Sequence, residues 1–140
     1  MGEKTILRVN RSREAQNYLG LLNQKTFRCH LYRIARGKQE EIVRALVIHL
    51  RYYPQKKICI LWDNATCHRG KLLRQELKRG GLLERVHLIN FPPYAPDMNP
   101  IEHVWKSGKE TLSNKQFQTF EKTKAVFERA VSLPIFPYKI

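Results

Sequence analysis

Acid is scarce in this chain. Twelve Asp and Glu stand against 26 Lys and Arg in 140 residues, and the aspartates are just two, Asp63 and Asp97. The formal charge is +14 and the pI near 10.1. A field of that sign and size attracts polyanions, which makes nucleic acid the expected partner and a merely basic, ribosomal-type protein the alternative. Cysteine is also sparse: Cys29, Cys59 and Cys67 are odd in number and form no C-x-x-C pair. That excludes a disulfide framework or redox motif and leaves three small hydrophobes expected to be buried in a reducing compartment. No apolar run approaches the roughly 20 residues of a membrane-spanning helix. The opening "MGEKTILRVNRSRE" has no apolar signal region, and "MGEKTI" lacks the Ser or Thr of a myristoylation site. The expected location is cytosolic, in a bacterium (then cytoplasmic and nucleoid-associated) or in a nucleus, with no membrane partner.

What is present suits one domain over residues 1–140, with 132–140 as a tail. "TILRV", "AQNYLGLLN" and "TFRCHLYRIA" read as strands. In the last, Phe27, Cys29 and Leu31 alternate with Arg28, His30 and Tyr32, the period of a sheet with one face exposed. "KQEEIVRALVIHLRYY" carries a helical stripe of Ile42, Leu46, His49 and Leu50, widened by Val43 and Val47 and ended by Pro54. "KKICILWD" is a short, near-continuous apolar strand of the kind found inside a covered sheet. "KLLRQELKRGG" is a helix stopped by Gly80-Gly81, and "RVHLINF" another strand. The proline-rich "PPYAPDMNP" cannot be regular structure. Asn99 then suits an N-cap, Pro100 the first helical position and Glu102 the third. A final helix, "QTFEKTKAVFERAVSL", precedes Pro134. Hairpin strands followed by alternating helix and strand predict an α/β fold, a mixed sheet flanked by helices.

That order puts Asp63 at the carboxyl end of a strand, where ligands of open α/β sheets collect, and Glu102 in the first turn of a helix after the next strand. Paired carboxylates without a Cys/His cluster suit a hard cation such as Mg²⁺, which takes one or two carboxylates and completes its octahedron with water and phosphate oxygens. On a strongly basic chain the pair suggests metal-assisted phosphoryl chemistry on nucleic acid. Simpler readings stand beside it. Glu102 suits a helix cap, Asp63-Asn64 an ordinary turn, and Trp105 a core position. Zinc on Cys67, His68, His87 and His103 lacks the short ligand pairs such sites use.

"LWDNATCHRG" and "VHLINFPPYAPDMNPIEHVWKSGKETLS" together resemble the second half of the catalytic domain of mariner-like insertion-sequence transposases. These belong to the DDE superfamily, with a ribonuclease-H-like, integrase-type fold. The matching positions are Asp63, Asn64, Ala65 and His68, then Pro92, Pro93, Tyr94, Pro96, Asn99, Pro100, Ile101, Glu102 and Trp105. Phe91, Ala95 and Met98 depart from the family's Leu, Ser and Leu.

The resemblance implies that Asp63 and Glu102 are the second and third carboxylates of a metal-binding triad. Asn64, His68, Tyr94, Asn99, Pro100 and Trp105 would be the supporting motif. The implied chemistry is cleavage of DNA strands at transposon ends and transfer of the freed 3′-hydroxyl to target DNA. It would use Mg²⁺ or Mn²⁺, two ions in the complete enzyme. The family's first aspartate has no counterpart here: Glu3 and Glu14 are the upstream acids, and neither stands in a matching motif. The expectation is therefore a sheet lacking its first strand and little catalysis by the isolated chain. Expected partners are DNA and either an N-terminal transposase part or further copies of the chain. The alternative is a non-catalytic DNA-binding or interaction module. Arg69, Lys71, Arg74 and Lys106 are the candidate DNA contacts, with solvated helix faces as their plain reading.

Overall fold

A computed structural model describes residues 6–11, 14–35, 38–62, 70–90, 100–113, 115 and 117–138. Three antiparallel strands come first: β1 (Ile6–Arg11), β2 (Glu14–Leu22) and β3 (Cys29–Ile34), with β2 in the middle. Helix α1 (Gln39–Leu50) follows, then β4 (Ile58–Trp62), α2 (Lys71–Leu77), β5 (Val86–Asn90), α3 (Ile101–Leu112) and α4 (Phe120–Ser132). β4 and β5 form a separate parallel pair. Every expected helix and strand is present, several of them shorter than the pattern suggests.

Side chains alternate across β2, and its two faces meet different partners. Leu19 and Leu21 join an aliphatic core with Ile42, Leu46, Leu50, Ile60, Leu73 and Val86, from α1, β4, α2 and β5. Tyr18 turns the other way, into a layer with Trp105, Phe120, Phe127, Val131 and Phe136. On that face Gly20 is required by close approach: a Cβ there would run into the Trp105 ring. Gly108 does the same between helices, since its Cβ would lie 2.6 Å from Phe127 Cε1.

This arrangement corrects one expectation. The face of β3 carrying His30 and Tyr32 is not open to water; both are half-buried, and Tyr32 packs against the aliphatic core. The polar alternation arose because aromatic and imidazole groups can be covered when they find partners, here Tyr32 Oη and His49 Nδ1 at 2.9 Å. β4 is also less enclosed than its apolar run suggests. Ile60 is buried, but Ile58 and Leu61 are half-buried and Cys59 is exposed. Cys29 is buried as expected, and its thiol is pushed up to about 12 by that burial.

Local terminators fix the helix ends. Arg85 donates to the backbone carbonyls of Tyr53, Lys56 (2.8 Å) and Leu50 (3.3 Å), satisfying groups released at the end of α1. Gln39 Oε1 accepts from the Leu72 and Leu73 amides at 3.0 and 3.3 Å, closing the start of α2 from a neighbouring helix. α2 stops at Leu77, and Gly80 takes the left-handed turn at φ 88°. Thr119 caps α4, its side chain accepting from the Lys122 amide at 3.2 Å. After α4 the chain turns back: Phe136 N donates to Phe27 O at 2.7 Å, and Phe136 is buried.

Candidate active site

The parallel register from Ile58↔Val86 to Trp62↔Asn90 makes β4 and β5 end level with one another. Asp63 follows Trp62, the last residue of β4, in the sequence. Asp63 itself lies outside the described residues, as do Asn64, Ala65, His68, Arg69, Tyr94 and Asn99.

α3 follows β5 in the chain. Pro100, at φ −60° and ψ −24°, already has helical geometry, which suits a ring that fixes φ and has no N–H to satisfy. The helix runs from Ile101, and Glu102 falls in its first turn, half-buried. Pro100 and Ile101 line one cavity of about 450 Å³ together with Ile60 and Leu61 of β4. The start of α3 and the length of β4 from Ile58 to Leu61 thus line one cavity. Among the described residues no group of three or more His, Cys, Asp or Glu is placed to hold a metal.

Trp105 is a packing residue: it is 3% exposed and stacks on Phe127 with ring centroids 6.4 Å apart. Its Nε1 is buried with no hydrogen-bond acceptor among the described residues. Lys71 and Arg74 are exposed on α2, and Lys106 is exposed on α3. His103 stacks on Tyr138 at 4.0 Å. Its partner is an aromatic ring.

Sequence reasoning missed the other end of the cavity. Lys56 and Lys57 are exposed there, and Asn23, His49 and Tyr53 line the wall. Asn23 Nδ2 donates to Tyr53 Oη at 2.7 Å. His49 sits among His30, Tyr32, Tyr52 and Tyr53, and burial pulls it down to about 4, with His30 adding repulsion. The imidazole is thus neutral at physiological pH and takes part in hydrogen bonding, not charge pairing. The one signal for Lys56 and Lys57 was the "KK" immediately before β4.

A hairpin-led antiparallel sheet, a parallel strand pair and helices packed on both faces of β2 define an integrase-type, ribonuclease-H-like α/β core. Solved structures bear this out as to fold. The catalytic core domain of BIV integrase is similar at a TM-score of 0.58 and 13% identity, over 90% of this chain and 78% of that one. A chain of the simian T-cell lymphotropic virus intasome in complex with PP2A regulatory subunit B56 gamma is similar at a TM-score of 0.64. There the identity is 11%, over 89% of this chain and 45% of that one. The chain belongs to the DDE superfamily endonucleases, whose family model matches residues 1–124. The transposable element Tc3 transposase of Caenorhabditis elegans is 37% identical over 57 residues. That stretch is 41% of this chain and 16% of the Tc3 protein, so the match spans a minor part of the relative's length.

Proposed function

We propose that this chain is catalytic-domain material of a transposase of the insertion-sequence type, in which Asp63 and Glu102 together hold a divalent cation, Mg²⁺ or Mn²⁺, against DNA. The observation that carries the reading is the shared cavity wall, Leu61 on β4 and Pro100-Ile101 on α3. It supports the reading by setting the start of α3, the helix that carries Glu102, against the wall of β4, the strand that precedes Asp63 in the sequence. The proposed donors are carboxylate oxygens, a donor set that suits a hard cation better than zinc. A cation bound there would offset charge on a scissile phosphate and favour deprotonation of the attacking water or 3′-hydroxyl.

The chain's own residues have simpler tasks. Glu102 supplies a carboxylate on a helix whose position is fixed by Val104 and Trp105, buried two and three residues further on. Lys71, Arg74 and Lys106 offer exposed cations for phosphate contacts. The decisive experiment is Mn²⁺ titration of the purified chain, followed by calorimetry or electron paramagnetic resonance. Asp63→Ala and Glu102→Gln should each weaken binding at least tenfold; equal affinity in wild type and both variants overturns the assignment.

A second reading, a DNA-binding or interaction module without catalysis, is favoured by the formal charge of +14, which draws nucleic acid whether or not a metal is held. Two carboxylates hold one ion weakly and give two ions about 3.5–4 Å apart too little bridging negative charge. Strand cleavage by this chain alone is therefore expected to be slight, while DNA affinity should fall steeply with salt through counterion release. A flat salt response would remove phosphate contacts from both readings.

A further inference from the structure

The helix that carries Glu102 starts at Pro100, whose ring offers no side-chain cap, and the His103 amide closes the first turn by donating to Pro100 O at 3.1 Å. Amides at a helix start have no acceptors within the helix, so an uncapped first turn depends on packing for its order. Ile101, Val104 and Trp105 supply part of that packing in the aromatic layer. His103 is exposed, and what covers its ring comes from the far end of the chain: Tyr138 stacks on it with centroids 4.0 Å apart and planes 11° from parallel. The segment bearing Tyr138 is tied down independently of α3. Arg28 Nη1 donates to Leu133 O at 2.9 Å, the Phe136 amide to Phe27 O at 2.7 Å, and Gln24 Nε2 to Tyr138 O at 3.1 Å, three bonds from the connection between β2 and β3. Phe27 takes φ 59°, a left-handed conformation rare for a bulky side chain, which persists where the surroundings over-determine it. There its amide donates to Asn23 O at 2.7 Å and its carbonyl receives the tail.

We propose that residues 133–138 form a strap that fixes the first turn of α3, and that Tyr138 is a positioning residue for the Glu102 carboxylate, acting through His103. The inference rests on the reading of Glu102 as a metal ligand. Leu133 and Ile135 are exposed, so the segment is held by its three bonds and by the buried ring of Phe136 rather than by burial along its length. Pro134 and Pro137 restrict its backbone. The Tyr138 amide donates to Phe136 O at 2.8 Å, a tight turn around Pro137 that sets Phe136 into the core and Tyr138 against α3. A ligating carboxylate must be held to within about 0.5 Å of its working position by groups that are themselves locked. His103 is the next residue after Glu102, so a stack that holds its ring also limits tilting and fraying of the turn from which the carboxylate projects.

The whole chain is tested by Mn²⁺ titration, amide hydrogen exchange and urea unfolding. Tyr138→Ala should weaken Mn²⁺ binding about tenfold, as removal of a group that orients a ligand does. It should also speed exchange in the first turn of α3 while α1 exchanges as in the wild type, and shift the urea midpoint little, because Tyr138 is 43% exposed. Tyr138→Phe keeps the ring and should restore affinity and exchange together. His103→Ala should match Tyr138→Ala, and the double variant should be no weaker than either single one, since both remove one stack. If Glu102→Gln weakens Mn²⁺ binding and Tyr138→Ala does not, the proposal is overturned and the metal reading stands. If neither weakens it, the metal reading fails and the proposal falls with it. Unchanged exchange in the first turn of α3 overturns the proposal as well. So does faster exchange throughout the chain with a matching loss in urea, which would mark the segment as merely structural.

Discussion

The two faces of β2 solve the same packing problem with different materials. Toward α1 and α2 the core is aliphatic, Leu19 and Leu21 against Ile42, Leu46 and Leu73. Toward α3 and α4 it is aromatic, Tyr18, Trp105, Phe120 and Phe127, and it is tied at its edge by charge. Glu128 Oε2 accepts from Tyr18 Oη at 2.7 Å and from Arg33 Nε at 2.6 Å, linking β2, β3 and α4 through one carboxylate. The aliphatic side has its polar group too, but His49 is buried and uncharged. The lesson is that one face should tolerate acid and the other should not.

Truncation sets the upper limit of that contrast. Phe127→Ala removes a fully buried ring that touches Tyr18 and the backbone at Gly108, and should cost about 3–5 kcal/mol in urea unfolding, with little dependence on pH. The aliphatic face should show its difference in the pH profile. His49 falls from 6.5 to about 4 in the folded chain, so the unfolded chain binds its proton first as pH drops. Stability from this group is present above about pH 6.5 and is lost progressively toward pH 4, by up to about 3 kcal/mol. His30, also lowered by burial, adds in the same direction. His49→Phe should flatten the profile measured by denaturant titration between pH 4.5 and 7; an unchanged slope would place the acid sensitivity elsewhere.

Smaller effects sharpen the aromatic side. Glu128→Gln keeps the shape but replaces charge-assisted bonds to Arg33 and Tyr18 with neutral ones, and should cost about 1–2 kcal/mol. Arg33 is substantially exposed, so the Tyr18 hydroxyl, not the ion pair, should carry most of that loss; Tyr18→Phe in a double-mutant cycle measures the share. Smallest of the set, Thr119→Ala removes the α4 cap and should lower stability by about 1 kcal/mol. Amide exchange confined to the first turn of α4 is the accompanying sign.

Much of the fold was legible because burial writes a period into sequence. The α1 stripe of Ile42, Leu46, His49 and Leu50 is buried as its spacing indicates, and Gly80 marks the turn after α2. The reading of β3 failed on His30 and Tyr32 because polarity alone does not say whether a ring will meet a partner. Arg85 was equally opaque: its bonds to three carbonyls come from a segment some thirty positions earlier. For the site, the motif around Asp63 and Glu102 was visible as a pattern of residue types, while the shared wall formed by Leu61, Pro100 and Ile101 required the chain to fold back.

Sequence by itself determined the basic charge, the order and kind of the elements, and which two acids stand at a strand end and a helix start, since each depends on local spacing and composition. Tertiary structure alone decided that β2 and β4 line one cavity, that a histidine is held neutral, and that Glu128 joins three elements. Those outcomes depend on distances between segments far apart in the chain, which no local pattern encodes.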